Sequence, residues 1–271
     1  MSFASSVPLA VACREAGVLA GWQGGTVTRE NAFRNYLDAL GRVEGTPAIV
    51  NLPARIATER DGEAKLAMLE AARAPLVLSS VGNPAALVAR VHGWGGRLIQ
   101  DVTTFYHAEK SIDVGVDGLM ATCAGAGGHT GFLTPMAFVP ALRRIWDGFL
   151  IVAGGIADAR GIAGALALGG DIACMGTRFI ATPESGVVEG HRQDRAARHG
   201  PDHVIGGDEW RPSQLDTGLD RSRGPRRRYI AHCAHRHARR GQAMARHLQC
   251  RAKRRADRRG GAGGETGRTS R

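Results

Sequence analysis

Short apolar runs recur along the first two thirds of the chain, with room for one helix between each pair. They occupy 17–22 (GVLAGW), 47–52 (PAIVNL), 75–80 (PLVLSS), 97–102 (RLIQDV), 118–123 (GLMATC), 149–153 (FLIVA) and 172–175 (IACM). Most are continuously apolar rather than alternating, the pattern of strands covered on both faces. The intervening stretches predict helices over 8–16, 29–40, 62–72, 84–91, 108–114, 135–146 and 159–168. Asp158 suits the N-cap of the last helix, and Gly169 and Gly170 suit its stop.

Repeated strand–helix alternation with right-handed crossovers builds a parallel sheet, open or closed into a barrel. Seven strands led by a helix with no strand before it predict an α/β fold, a (β/α)8 TIM barrel with its first strand missing. A doubly wound sheet is the alternative. In a barrel the chemistry sits at the C-terminal ends of the strands. Polar and glycine residues collect there. Asn51 lies at the end of its strand, glycines run through 125–131 after another, and Gly154, Gly155, Gly176 and Thr177 follow the last two.

Two of these loops suit an anion. AGGIAD (153–158) and MGTRF (175–179) follow the last two strands, where barrels often bind phosphate. Their glycines let backbone N–H groups approach closely, and a following helix N-terminus adds favourable dipole charge. Tight turns alone would use the same glycines. The third loop, CAGAGGHTG (123–131), would let a flat ring system lie against the backbone. It would also set His129 where a general base reaches a bound substrate.

The composition splits the chain in two. The 271 residues carry 36 Lys+Arg against 25 Asp+Glu, a net charge of +11. All of that excess lies in 194–271, while 1–193 is near neutral. The five cysteines, Cys13, Cys123, Cys174, Cys233 and Cys250, are odd in number, which suits free thiols in a reducing compartment. No stretch is long and apolar enough to span a bilayer, and no signal-peptide pattern opens the chain. A cytoplasmic location is therefore expected.

The runs AGAGGHTG and VAGGIADARGIAGALALGGDIACMGTRFIATPESG resemble the nitronate monooxygenase family, also called 2-nitropropane dioxygenases. DVTTFYHAEKSIDVGVDGLM is similar to the family's segment leading into the glycine loop. The resemblance covers residues 1 to about 193. It implies an FMN-dependent barrel that oxidises alkyl nitronates with O2, without a metal and with a homodimer as one assembly. It makes His129 the catalytic base and places Asn51, Thr122, Gly127 and Gly128 at the flavin. It gives Gly154, Gly155, Gly176 and Thr177 to the FMN phosphate.

The sequence also departs from the family. Many members have Gln in place of Thr122 and an acidic residue in place of Gly125. Met1 resembles the Met of a first strand ending in APM, whose backbone meets the flavin, with the preceding strand absent. An internal start codon would give that beginning. Related FMN barrels with a GGH loop include enoyl reductases, the alternative activity. An inactive fragment is the non-enzymatic reading.

Three readings compete for 194–271. Arginine-rich RSRGPRRRYIAHCAHRHARRG (221–241) suits a nucleic-acid arm, although Lys253 is the tail's one lysine. HCAHRH (232–237) offers metal-ligand residue types, but in no common zinc spacing. A shifted reading frame accounts for more. Stepped one nucleotide forward, Met244 and Ala245 must read Trp, and the codons of 242–260 permit W-R-D-I-F-S-A-G-Q-S-V-G. Family members close on a similar segment. The same step through 209–215 permits another family-like stretch. The expectation is an incomplete FMN-binding domain over 1–193 and an out-of-frame tail over 194–271. Its partners would be a small nitronate and O2, with no specific nucleic acid and no membrane.

Overall fold

The structure, a computed structural model, describes residues 4–27, 30–44 and 46–187. Met1, the expected junction of reading frames, the basic tail and its HCAHRH run lie outside the described residues.

Seven strands form one sheet in sequential order, and every neighbouring pair is parallel. They are β1 Gly21–Gln23, β2 Ile49–Pro53, β3 Leu76–Ser80, β4 Arg97–Val102, β5 Gly118–Thr122, β6 Phe149–Ala153 and β7 Ile172–Cys174. The helices are α1 Val7–Glu15, α2 Glu30–Gly41, α3 Gly62–Ala71, α4 Ala85–Gly93, α5 Phe105–Asp113, α6 Pro135–Leu142, α7 Ala159–Ala167 and α8 Thr177–Ile180. A doubly wound sheet reverses its strand order at a switch point, and this sheet does not. The winding is that of a barrel lacking a closing strand pair among the described residues. Its two ends still meet. Ser6 Oγ donates to Glu184 O, and Gly186 N donates to Ala4 O over 3.2 Å.

Both faces of the sheet are apolar, which explains the unbroken hydrophobic runs. On the outer face Val50, Leu52, Val77, Leu98, Leu119, Leu150 and Val152 join a core with helix residues such as Phe33, Leu66, Val91 and Phe138. Inside the curl, Ile49, Leu76, Ile99 and Ile151 form a second buried cluster, flanked by Leu78, Met120 and Ile172. Alternation along each strand then brings Asn51, Ser80, Asp101, Thr122 and Cys174 to the inner face, nearer the C-terminal ends.

Two acids close the opposite end. Asp117 accepts from Leu98 N, and its other oxygen pairs with Arg97 at 2.9 Å. Asp171 accepts from Leu150 N and pairs with Arg143.

Three expected elements shift. The first strand is short and starts at Gly21 rather than 17, because Gly17 (φ 75°) turns the chain and Val18 N returns to Cys13 O. The helix expected from 108 begins at Phe105, because the Thr104 hydroxyl accepts from His107 N and caps it. The helix expected to reach 146 ends at Leu142. There the Arg143 guanidinium donates to Gly169 O and Gly148 O, both at 2.6 Å, and pulls the chain toward β6 and β7.

Candidate active site at the C-terminal end of the sheet

The glycine loop folds back over the end of β5. Thr130 Oγ1 donates to Cys123 O over 2.6 Å, Gly131 N to Thr122 O over 3.1 Å, and Ala124 N to Leu133 O over 2.8 Å. A Cβ on Gly131 would stand 2.7 Å from Thr103 O, so only glycine lets the loop pass so close to the end of β4. Gly128 has φ 82°, a conformation that costs other residues roughly 1–2 kcal/mol. The result is an exposed His129, with Gly127 and Gly128 beside it, above the inner face of the sheet.

The loop after β6 is tied to this one. Gly155 N donates to Gly125 O over 3.2 Å. Gly154 has φ 136°, and a Cβ there would meet Ala124 O at 2.9 Å and Cys123 O at 3.1 Å. Gly155 (φ 67°) faces open space. Ala153 pairs with Cys174, so Gly154 and Gly155 lie next to Gly176 and Thr177 at the end of β7. Two adjacent turns with accessible backbone fit an anionic group such as a phosphate.

One part of the expected cradle differs. The N-terminus of α7 is closed by Asp158, whose carboxylate accepts from Gly161 N over 2.9 Å. A carboxylate there repels an anion, which leaves 154–155 and 176–177 as the cradle. Gly176 caps α8 without a side-chain bond, so that turn keeps its amides available.

Below the loops lies the polar inner layer. Asn51 Nδ2 donates to Ser80 Oγ over 3.2 Å and to Leu78 O over 3.3 Å, which turns its amide into the curl. Thr122 is buried, and its hydroxyl donates to Asp101 Oδ1. Burial pushes the Asp101 carboxyl up to about 6; the Thr122 hydrogen bond and the neighbouring His129 and His107 oppose that rise. His107 in turn sits 3.1 Å from Thr103 Oγ1.

The structure thus brings together nine of the expected residues, Asn51, Thr122, Gly127, Gly128, His129, Gly154, Gly155, Gly176 and Thr177, at one end of the sheet. Met1 is outside the described residues. Sequence reasoning missed Asp101. Its signal was an acid next to the last residue of the strand run RLIQDV, on the same alternation as Ile99. Exposed Tyr106, Phe132 and Met136, from α5, the glycine loop's exit and α6, add an apolar rim. Among the described residues no group of three or more His, Cys, Asp or Glu could hold a metal ion.

The family profile described as nitronate monooxygenase matches residues 38–203. A nitronate monooxygenase of Paraburkholderia phytofirmans is 36% identical over 140 residues, which is 48% of this chain and 38% of that protein. The chain therefore spans well under half of that relative's length. Among solved structures, the FabK (M276A) mutant from Thermotoga maritima aligns with a TM-score of 0.66 and 29% identity, covering 72% of this chain and 64% of FabK. A nitroalkane oxidase from Streptomyces ansochromogenes aligns with a TM-score of 0.64 and 26% identity, covering 70% of this chain and 67% of that one.

Proposed function

The chain belongs to the nitronate monooxygenase family, and from that premise we propose that it is an FMN-dependent oxidoreductase acting on small nitro compounds with O2. The observation that carries this reading is a single one: the His129 loop, the polar inner layer and the paired glycine turns converge at the C-terminal end of one parallel sheet. The turns at 154–155 and 176–177 would hold the FMN phosphate, and Asn51 and Thr122 would line its ring. FMN held there would supply the electron acceptor for the substrate and the route of electrons to O2. His129 meets the substrate, removing its proton or stabilising its anion. The apolar rim of Tyr106, Phe132 and Met136 suits the substrate's alkyl part.

Cys13, Cys123 and Cys174 are free thiols and no described helix is long and apolar enough to cross a membrane, both consistent with a cytoplasmic enzyme. The out-of-frame tail is proposed from the codons of the sequence; the family match ends at 203, about ten residues past the tail's expected start. Resequencing the gene tests that point, and an uninterrupted frame rejects it.

The function is tested with the full chain. Desalting after addition of FMN should leave oxidised-flavin absorption bands, and ethyl nitronate should then drive oxygen uptake. A colourless protein would reject the flavin site. Reduction of an enoyl thioester by reduced nicotinamide, with no nitronate oxidation, would assign the enoyl reductase activity instead.

A further inference from the structure

Three acids on or beside the strands have clear structural tasks, and a fourth has none of that kind. Asp117 and Asp171 each bind a strand N–H and an arginine at the N-terminal end of the sheet. Asp158 caps α7. Asp101 lies at the other end, on the inner face of β4, with register to Met120. It accepts one hydrogen bond, from the Thr122 hydroxyl, and pairs with no lysine or arginine among the described residues. A carboxylate half-buried on the inner face without a cation costs stability, so its persistence at a candidate site points to chemistry.

We propose that Asp101 is the base that removes a carbon-bound proton from a neutral carbon acid, a nitroalkane, so that the site takes the protonated substrate as well as a preformed nitronate. This rests on the flavin-site reading and divides two roles left together there: Asp101 takes the proton and His129 stabilises the anion. In the step, the substrate C–H bond breaks and an O–H bond forms on Asp101. The electron pair stays on the substrate, delocalised into its nitro group. A nitroalkane thereby becomes a nitronate, with no oxidant consumed.

The surroundings suit the task. Thr122 faces Asp101 from β5, and His129 and His107 approach from the glycine loop and α5. Cys174 lies close enough on β7 to feel its charge, and β3 brings the neutral Ser80 to the same level. Burial holds the carboxyl near 6, so at neutral pH it is an anion yet a stronger base than an exposed aspartate.

The test separates the step from the oxidation that follows. The FMN-treated full chain is mixed with nitroethane in D2O without oxygen, and deuterium entering the carbon next to the nitro group is followed by NMR. Exchange should exceed the buffer rate, and D101N should lower it roughly 100-fold. D101N should keep the wild-type circular-dichroism spectrum and a cooperative melting transition, which guards against a folding artefact. Wild-type exchange no faster than buffer, or D101N exchanging at the wild-type rate, overturns the proposal. Oxygen uptake with ethyl nitronate reads the flavin assignment separately. Uptake without exchange rejects only the role of Asp101, and exchange without uptake rejects only the oxidase reading.

Discussion

The Thr122 hydroxyl donates to the Asp101 carboxylate from β5 to β4, and both side chains face the inside of the curled sheet. That bond favours the charged carboxylate and offsets part of the rise caused by burial. T122V removes the donor while keeping the shape. The Asp101 midpoint should therefore move above about 6. A carboxyl-carbon NMR titration of aspartate-labelled chain would show it, and an unchanged midpoint would dissociate the two groups.

The same carboxylate should make stability fall with rising pH. Its folded value of about 6 is above its ordinary 3.8, so the folded state holds the proton more tightly. Below pH 4 the group is protonated in both states and costs nothing. As pH rises from 4 to 6 the folded state loses stability, by at most ~2–3 kcal/mol. D101N lacks this loss. It should melt higher than wild type at pH 7.5 and close to it at pH 4, in thermal unfolding followed by circular dichroism.

Gly154→Ala should damage the phosphate cradle. The new Cβ meets Ala124 O at 2.9 Å and sits on a backbone with φ 136°. A cost of ~1–3 kcal/mol and a weakened FMN affinity follow. Gly128→Ala has a φ of 82° but no atom within 4 Å, so its cost should be smaller. Melting temperatures and flavin fluorescence titrations compare the two; equal effects would remove close approach as the cause.

Ile99→Ala tests the inner core. Ile99 is 1% exposed and packs with Ile49, Leu76 and Ile151 beneath the polar layer. The truncation should cost about 2–5 kcal/mol in denaturant unfolding. A cost below 1 kcal/mol would mean that the inner cluster collapses around the gap.

Strand–helix alternation was legible because both faces of the sheet are buried, so β6 reads as an unbroken apolar run and β4 as a run with an apolar centre, both with the observed limits. The first strand was not, since the backbone of Gly17 and Val18 turns back to the end of α1 before the chain enters the sheet. The short α6 was hidden for a related reason: Arg143 finds its carbonyl partners 5 and 26 residues further on.

By itself the sequence determined the parallel order of the strands, the glycine turns at their ends and the position of His129, because each follows from local spacing and from residues that only a turn accepts. Only the tertiary structure decided that Asp101 belongs with them. An acid near the end of a strand reads as an ordinary solvated terminus until pairing with β5 places Thr122 on its oxygen and the curl of the sheet buries Thr122 and half-buries the acid. Burial and an opposing hydrogen bond from 21 residues away set the carboxyl's chemistry, and no local pattern encodes either.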